Sequence, residues 1–553
     1  MKKIIHILLL ALIAFSCKKA NLTPDKEPDI IEIPDTESGL YFQPEELNAD
    51  LSCTIWFKPS KNSKISSPLY NCTSDLYAHI GLLVEDEWAF VQADWNENKQ
   101  KCKFEKVEDN LYKLVLTPSI REYFNSANTP ITTLAIVVRN EKGTKQTKPD
   151  QFAPVTDDKY KTETFQPGEV HLLPTPFGAK EGINYNDDNS VTLVLYGKNK
   201  SGKHHDYAYV IGEFSDWKRT DGYMMNWDET KGYWWYTFTD VDPSKEYLFQ
   251  YHLGDSNQNI RVNDAYSEVV YDPWNDKYIS SSTYPNLTPY PEQTKGLVSS
   301  FKIKKDNFSW VDYKISDENS LVIYEMLFRD FTSSHDINGA LEKLDYLEEL
   351  GVGAVELMPI QEFDGNESWG YNPNSYFALD KAYGTPFMYK TFINECHKRG
   401  MAVILDVVYN HATGSHPFAK MYWDSAANNV SSENPWFNVI TPHGFGVFHD
   451  WNHQEPMVSE HVKRSLEYLM TEYHVDGFRF DLTKGFTNNT GKDSSYDQQR
   501  VDKLKEYGSF IKSINPDAMV IFEHFVDVEN YELGKSGFHM WGNNNNAYRN
   551  IVK

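Results

Sequence analysis

From about residue 318 the sequence settles into a rhythm that few folds can satisfy, in which short and almost wholly apolar strands alternate with amphipathic helical stretches. The strand-like runs are Leu321-Val322-Ile323-Tyr324-Glu325-Met326, Ala354-Val355-Glu356-Leu357-Met358-Pro359-Ile360, Met401 through Val408, Gly477 through Asp481, and Met519 through Glu523. Between them Leu341, Leu344, Leu347 and Leu350 mark one helical face that stops at Gly351, and a second helix ends at Gly400. Val458, Val462, Leu466, Leu469 and Tyr473 mark a third helix, and Val501, Leu504, Ile511 and Ile514 a fourth. Strands that are apolar on both sides must be covered on both sides, and helical crossovers between them impose a parallel sheet. A series of this length favours a (β/α)8 barrel over a doubly wound sheet, and the first strand is not followed by the glycine-rich phosphate loop that the latter would lead one to seek.

The remainder of the 553 residues reads as several further segments. Met1-Lys2-Lys3 and the short apolar run from Ile4 to Phe15 form a secretory leader, too short to span a bilayer as a stable helix. It ends at Ala14-Phe15-Ser16-Cys17, which resembles the cleavage box of bacterial lipoproteins and implies acylation of Cys17, a membrane anchor and an extracytoplasmic location at the outer membrane or cell surface. Residues 18–40 are polar and proline-bearing, as in a flexible tether. Residues 41–166 and 167–300 each carry short alternating runs separated by Asn, Asp, Gly and Lys turns, the pattern of two all-β sandwich modules. Cys53, Cys72 and Cys102 share the first module, so a disulfide among them is open, as is the alternative of free thiols. A formal net charge of −25 opposes binding to polyanions and excludes nucleic acid as a partner. The 35 Tyr, 31 Phe and 14 Trp suit a carbohydrate ligand, whose C–H faces stack on rings.

In a parallel barrel the polar residues at the C-terminal ends of the strands build the site. Three strands end in such residues: the third in Asp406-Val407-Val408-Tyr409-Asn410-His411, the fourth in Arg479 and Asp481, the fifth in Glu523 and His524. Retaining glycoside hydrolysis needs two carboxyls about 5 Å apart, one attacking the anomeric carbon and one protonating the leaving oxygen. Adjacent strands about 4.8 Å apart supply that spacing. Arg479, two residues before Asp481, points to the same face and can hold its carboxylate ionised.

Asp406 through His411, Gly477-Phe478-Arg479-Phe480-Asp481 and Phe522-Glu523-His524 are together similar, in order and spacing, to the first three signatures of the α-amylase family of glycoside hydrolases, in a pullulanase-, isoamylase- or neopullulanase-like form. The resemblance covers residues 318–553 and implies a retaining enzyme acting on α-glucans. It implies Asp481 as nucleophile, Glu523 as general acid/base and Arg479 as the nucleophile's partner. His411, Tyr371 (in Trp369-Gly370-Tyr371-Asn372-Pro373), Asp406, Lys484 and His524 are then expected at the substrate, and Asn410 at a structural calcium ion. Gly485 stands where His is frequent, which weakens the calcium expectation. The segment Gly212-Glu213-Phe214-Ser215-Asp216-Trp217 and the aromatic strand after it look like the sandwich that precedes the barrel in branching enzymes, isoamylases and pullulanases, either binding glucan or packing on the barrel. Trp56, Trp88 and Trp95 suggest a starch-binding platform in the first module, with burial in its core as the alternative. The family's fourth signature, a His-Asp pair on the seventh strand, does not occur in these 553 residues, so the chain is expected to be the N-terminal part of a longer one. Two other readings stay open: a degenerate starch-binding surface lipoprotein, and a glycosyltransferase of the branching type.

Overall fold

The computed structural model describes residues 33–541 apart from 85–86, 127–128, 158, 161–164, 256–258 and 304–306. The leader, Cys17 and most of the expected tether lie outside the described residues. The chain divides into two compact units, Met1–Phe165 and Gln166–Lys553.

In the first unit one sheet orders the strands Leu40–Gln43, Cys53–Phe57, Leu111–Leu116 and Glu105–Glu108, and another is built around Leu76–Val84 and Thr133–Asn140. Alternation decides what each strand buries: Ile55, Phe57 and Leu114 from the first sheet share one core with Ile80, Leu82, Leu134 and Ile136 from the second. Cys53, Cys72 and Cys102 are free thiols, so no disulfide forms among them, and burial pushes the Cys53 thiol up to about 12. The three tryptophans do not make one platform. Trp88 and Trp95 flank His79, each with ring centroids 5.2 Å from it, whereas Trp56 lies on the other sheet and donates to Gln43 at 3.0 Å.

The second unit opens with two antiparallel sheets, one around Val191–Tyr196 and Tyr233–Phe238, the other around Tyr207–Gly212 and Tyr247–Gly254. Trp217, Trp227 and Trp234 are all buried, so packing is their use and none presents a face to a glycan. Their core runs without a break into the next segment.

That segment is the parallel sheet: β1 (Ile323–Met326), β2 (Ala354–Leu357), β3 (Ala402–Val407), β4 (Gly477–Phe480), β5 (Met519–Phe522) and β6 (His539–Met540), hydrogen-bonded in that order and all parallel. The crossovers carry α1 (Leu344–Glu349), α2 (Pro386–Lys398), α3 (Pro456–Glu472), α4 (Gln498–Ile514) and α5 (Asp527–Gly534). Within the described residues the sheet curls as a half-barrel with β1 and β6 at its edges. Its outer face (Val355, Leu357, Val403, Leu405, Phe478, Phe480, Val520, Phe522) packs on the helices. Its inner face (Ala354, Ala402, Ile404, Met519, Ile521) packs on Tyr313, Ile315 and Leu321 from the segment that precedes β1. Gly477 has no alternative, because a Cβ there would strike the Met519 backbone of β5. The first helical face is less regular than its leucines suggest: Leu344 and Leu347 are buried, but a break before α1 leaves Leu350 exposed at 54%. No described helix is long and apolar enough to cross a membrane.

Candidate active site

The parallel register sets the site. Asp406 on β3 lies opposite Arg479 on β4, and the ladder continues past both strand ends, Asp481 N–H donating to Val407 O and Glu523 N–H to Phe480 O, each at 3.0 Å. Three neighbouring strands thereby bring their last inward-facing residues together.

Arg479 is the hub. Its Nη1 donates to Asp406 Oδ1 at 2.8 Å and to Asp481 Oδ1 at 2.9 Å, and its Nη2 lies 3.0 Å from Glu523 Oε1. Burial works against the guanidinium charge, but Asp406, Glu523 and Asp481 outweigh it and hold its pKa above the ordinary value. The Trp541 ring lies with its centroid 4.8 Å from the guanidinium. Tyr371 donates its hydroxyl to Asp406 Oδ2 at 2.6 Å, so both oxygens of Asp406 are engaged. Burial, chiefly, pushes the Asp406 carboxyl up to about 7.

Asp481 and Glu523 have different surroundings. Glu523 is raised above the usual carboxylate range by burial, with Asp481 adding to the rise and Arg479 opposing it. Its Oε2 accepts from Leu482 N–H at 3.1 Å, and Leu482 is held at φ +49° to make that contact. A non-glycine residue in the left-handed region beside two paired carboxyls is strain stored at this place. Arg479 holds both carboxyls, Asp481 through Nη1 and Glu523 through Nη2, and burial favours the proton on Glu523.

The other expected residues fall into two groups. His411 is buried, donating from Nε2 to the Tyr371 carbonyl at 2.8 Å and accepting at Nδ1 from Asn410 at 3.2 Å, so it fixes the tyrosine segment. Burial keeps its pKa below the ordinary imidazole value. Lys484 places its ammonium 3.5 Å from the centre of the Phe445 ring. His524 stands behind the site: it is fully buried, with Nδ1 3.1 Å from Thr483 Oγ1 and Nε2 donating to Glu529 Oε2 at 2.7 Å. Both ring nitrogens are thus occupied away from the cleft.

Two positions invite a metal. Asn410 Oδ1 is buried without a hydrogen-bond partner among the described residues, which suits a ligand atom. Its neighbourhood does not, because the Asp450 carboxylate already pairs with His443 Nε2 at 2.9 Å and accepts from Asn438 Nδ2 at 2.8 Å. Calcium takes six to eight oxygens. Nitrogen donors stand where it would need them, so these residues do not fit the ion. Deeper in the half-barrel, Glu325, Glu356 and Asp406 bring carboxylate oxygens within 4.8 Å of one another. Each Asp406 oxygen already accepts a hydrogen bond, and burial, then Asp406 itself, push Glu356 up to about 8, so a proton on Glu356 relieves the repulsion. Glu356 was not anticipated as part of the site. The signal was a lone charge inside Ala354-Val355-Glu356-Leu357, a strand otherwise apolar on both faces.

Residues 322–447 match the family described as alpha amylase, catalytic domain. Over that stretch the chain is similar to an α-amylase catalytic domain. Among curated relatives, a malto-oligosyltrehalose trehalohydrolase of Saccharolobus solfataricus is 35% identical over 240 residues, covering 42% of this chain and 39% of that protein. The chloroplastic isoamylase 1 of Oryza sativa subsp. japonica is 32% identical over 255 residues, covering 40% and 31%. Alpha-amylase 3 of Dictyoglomus thermophilum is 30% identical over 223 residues, covering 36% and 43%. The chain thus spans less than half the length of these relatives.

Proposed function

We propose that this chain belongs to a retaining glycoside hydrolase that cleaves α-glucosidic bonds in starch- or glycogen-like glucans. The observation that carries the reading is Arg479 bridging Asp481 and Glu523 at the ends of adjacent parallel strands. Asp481 attacks the anomeric carbon and forms the glycosyl-enzyme bond, while the glycosidic bond breaks and Glu523 gives its proton to the leaving oxygen. Glu523, then ionised, takes a proton from water, whose oxygen attacks the anomeric carbon and releases Asp481. Arg479 orients the Asp481 carboxylate, and Asp406 with Tyr371 fixes the guanidinium. The relatives named for isoamylase, trehalohydrolase and α-amylase activity support an α-glucan as the substrate class.

We further propose two β-sandwich modules ahead of a (β/α)8-type barrel, export through the Met1–Cys17 leader, and anchoring by acylation of Cys17. Incubation of the full gene product with starch and pullulan should release reducing ends, and Asp481→Asn should abolish the release. Equal release by the variant and its parent would defeat the assignment. Labelled palmitate should enter the parent protein in cells and not Cys17→Ser; labelling of both would remove the anchor.

A further inference from the structure

We propose that Phe448, at the mouth of the site, determines specificity by stacking on the glucosyl unit that adjoins the one held between Asp481 and Glu523. The site would thereby select chains of sugars over single glucosides. The inference rests on the α-glucan reading above and adds a binding residue to it.

Phe448 sits at the end of a hairpin whose strands, Phe437–Asn438 and His449–Trp451, pair antiparallel, with the second strand also pairing to His411–Ala412. The hairpin therefore grows from the same small sheet that carries His411. Its connection presents large apolar side chains to solvent: Ile440 is 84% exposed, Phe445 40%, Val447 42% and Phe448 56%. Such a cluster beside a polar site is uncommon unless a ligand covers it. The connection is also tied down. Gly444 N–H donates to Asp493 at 3.2 Å, His443 pairs with Asp450 at 2.9 Å, and Lys484 caps the Phe445 ring. The Phe448 ring lies 5.5 Å from the His411 ring, and His411 in turn holds Tyr371, which bonds Asp406. Phe448 thus packs against the His411 ring, one hydrogen bond away from Tyr371 and two from Asp406.

The backbone supplies an independent reason. Phe448 is held at φ +47°, a conformation that suits Gly or Asn and is a genuine outlier for a bulky side chain. Burial gives little in return, since more than half of the side chain is exposed. A residue that is strained and gains little from packing is retained for what its exposed ring does. An exposed aromatic face close to polar side chains suits an uncharged, hydroxyl-rich chain with apolar C–H faces.

The test uses the full chain carrying Asp481→Asn, so that ligand is bound without turnover, and measures calorimetric binding of maltoheptaose and of methyl α-glucoside. Phe448→Ala should weaken maltoheptaose binding by about five- to tenfold and leave methyl α-glucoside binding unchanged. Phe448→Tyr should keep the parent affinity. Phe448→Gly should weaken maltoheptaose binding as Ala does while raising Tm, because glycine relieves the backbone strain. Affinity for maltoheptaose unchanged in both Ala and Gly variants would overturn the proposal and leave the α-glucan reading standing. A parent that binds neither maltoheptaose nor amylose would overturn that reading, and this one with it.

Discussion

At the scale of single residues, the site is a problem in how many carboxyls one guanidinium can hold. Arg479 neutralises part of the charge of Asp406, Asp481 and Glu523, and its planar fork reaches all of them because they end neighbouring strands. A fourth carboxyl, Glu356, lies below Asp406 with neither oxygen hydrogen-bonded among the described residues, and Arg479 offsets its burial only in part. That has a consequence for stability. Its carboxyl is raised from 4.5 to about 8, so between those values the folded protein binds more protons at Glu356 than the unfolded chain does. This group's contribution is therefore fully present below pH 4.5 and is lost as pH rises through 8. Glu356→Gln keeps the shape and removes the titration. Urea unfolding at several pH values should show the parent losing stability relative to Glu356→Gln across this window, with the two lines diverging toward high pH. Parallel lines would place a cation or another partner at Glu356 in solution.

At the scale of elements, the strands were legible because burial on both faces leaves a mark that survives without context. Ala354–Leu357, Ala402–Val407, Gly477–Phe480 and Met519–Phe522 all fall within the runs read from apolarity alone. What was not legible is which side of its own turn a residue faces. His524 follows Glu523 directly, yet the chain bends there, with Phe525 at φ +49°, and directs the ring toward α4 and α5. There it joins a buried group that locks these helices behind β4 and β5. Arg500 donates to Glu529 through Nε at 2.9 Å and Nη2 at 2.6 Å, and its Nη1 reaches the Lys484 carbonyl at 2.9 Å. Both side chains are fully buried, so deleting one partner strands the other charge without solvent. Glu529→Ala should cost about 3–5 kcal/mol of stability, read by urea denaturation, and a loss below about 1 kcal/mol, the usual worth of an exposed pair, would show the pair to be solvated.

At the scale of the whole molecule, composition and turn spacing separate residues 167–300 from the strands that follow, but they do not reveal that the two share a core. Val191, Leu193, Trp234, Phe249 and Phe301 belong to the same continuous apolar cluster as Phe328, Leu357 and Phe377. Polar contacts reinforce the join. The Arg464 guanidinium on α3 lies 4.1 Å from the centre of the Tyr266 ring and donates to the Glu181 carbonyl at 2.7 Å. Lys381, almost fully buried, pairs with Glu362 at 2.5 Å and with Asp276 at 3.3 Å. Tyr422 donates to the Gly197 carbonyl at 2.5 Å. Contacts of this kind couple long stretches of sequence that no local pattern links, and they make the sheets of residues 166–301 part of the half-barrel's fold. A fragment beginning at residue 307 would expose the apolar surface that Tyr266 and its neighbours cover and would leave Lys381 short of a carboxylate partner. Expressed alone, that fragment should aggregate, whereas a fragment of residues 166–553 should stay soluble, with size-exclusion chromatography and near-UV circular dichroism as the readouts. A soluble 307–553 fragment with native near-UV signal would show instead that the half-barrel folds without the sheets ahead of it.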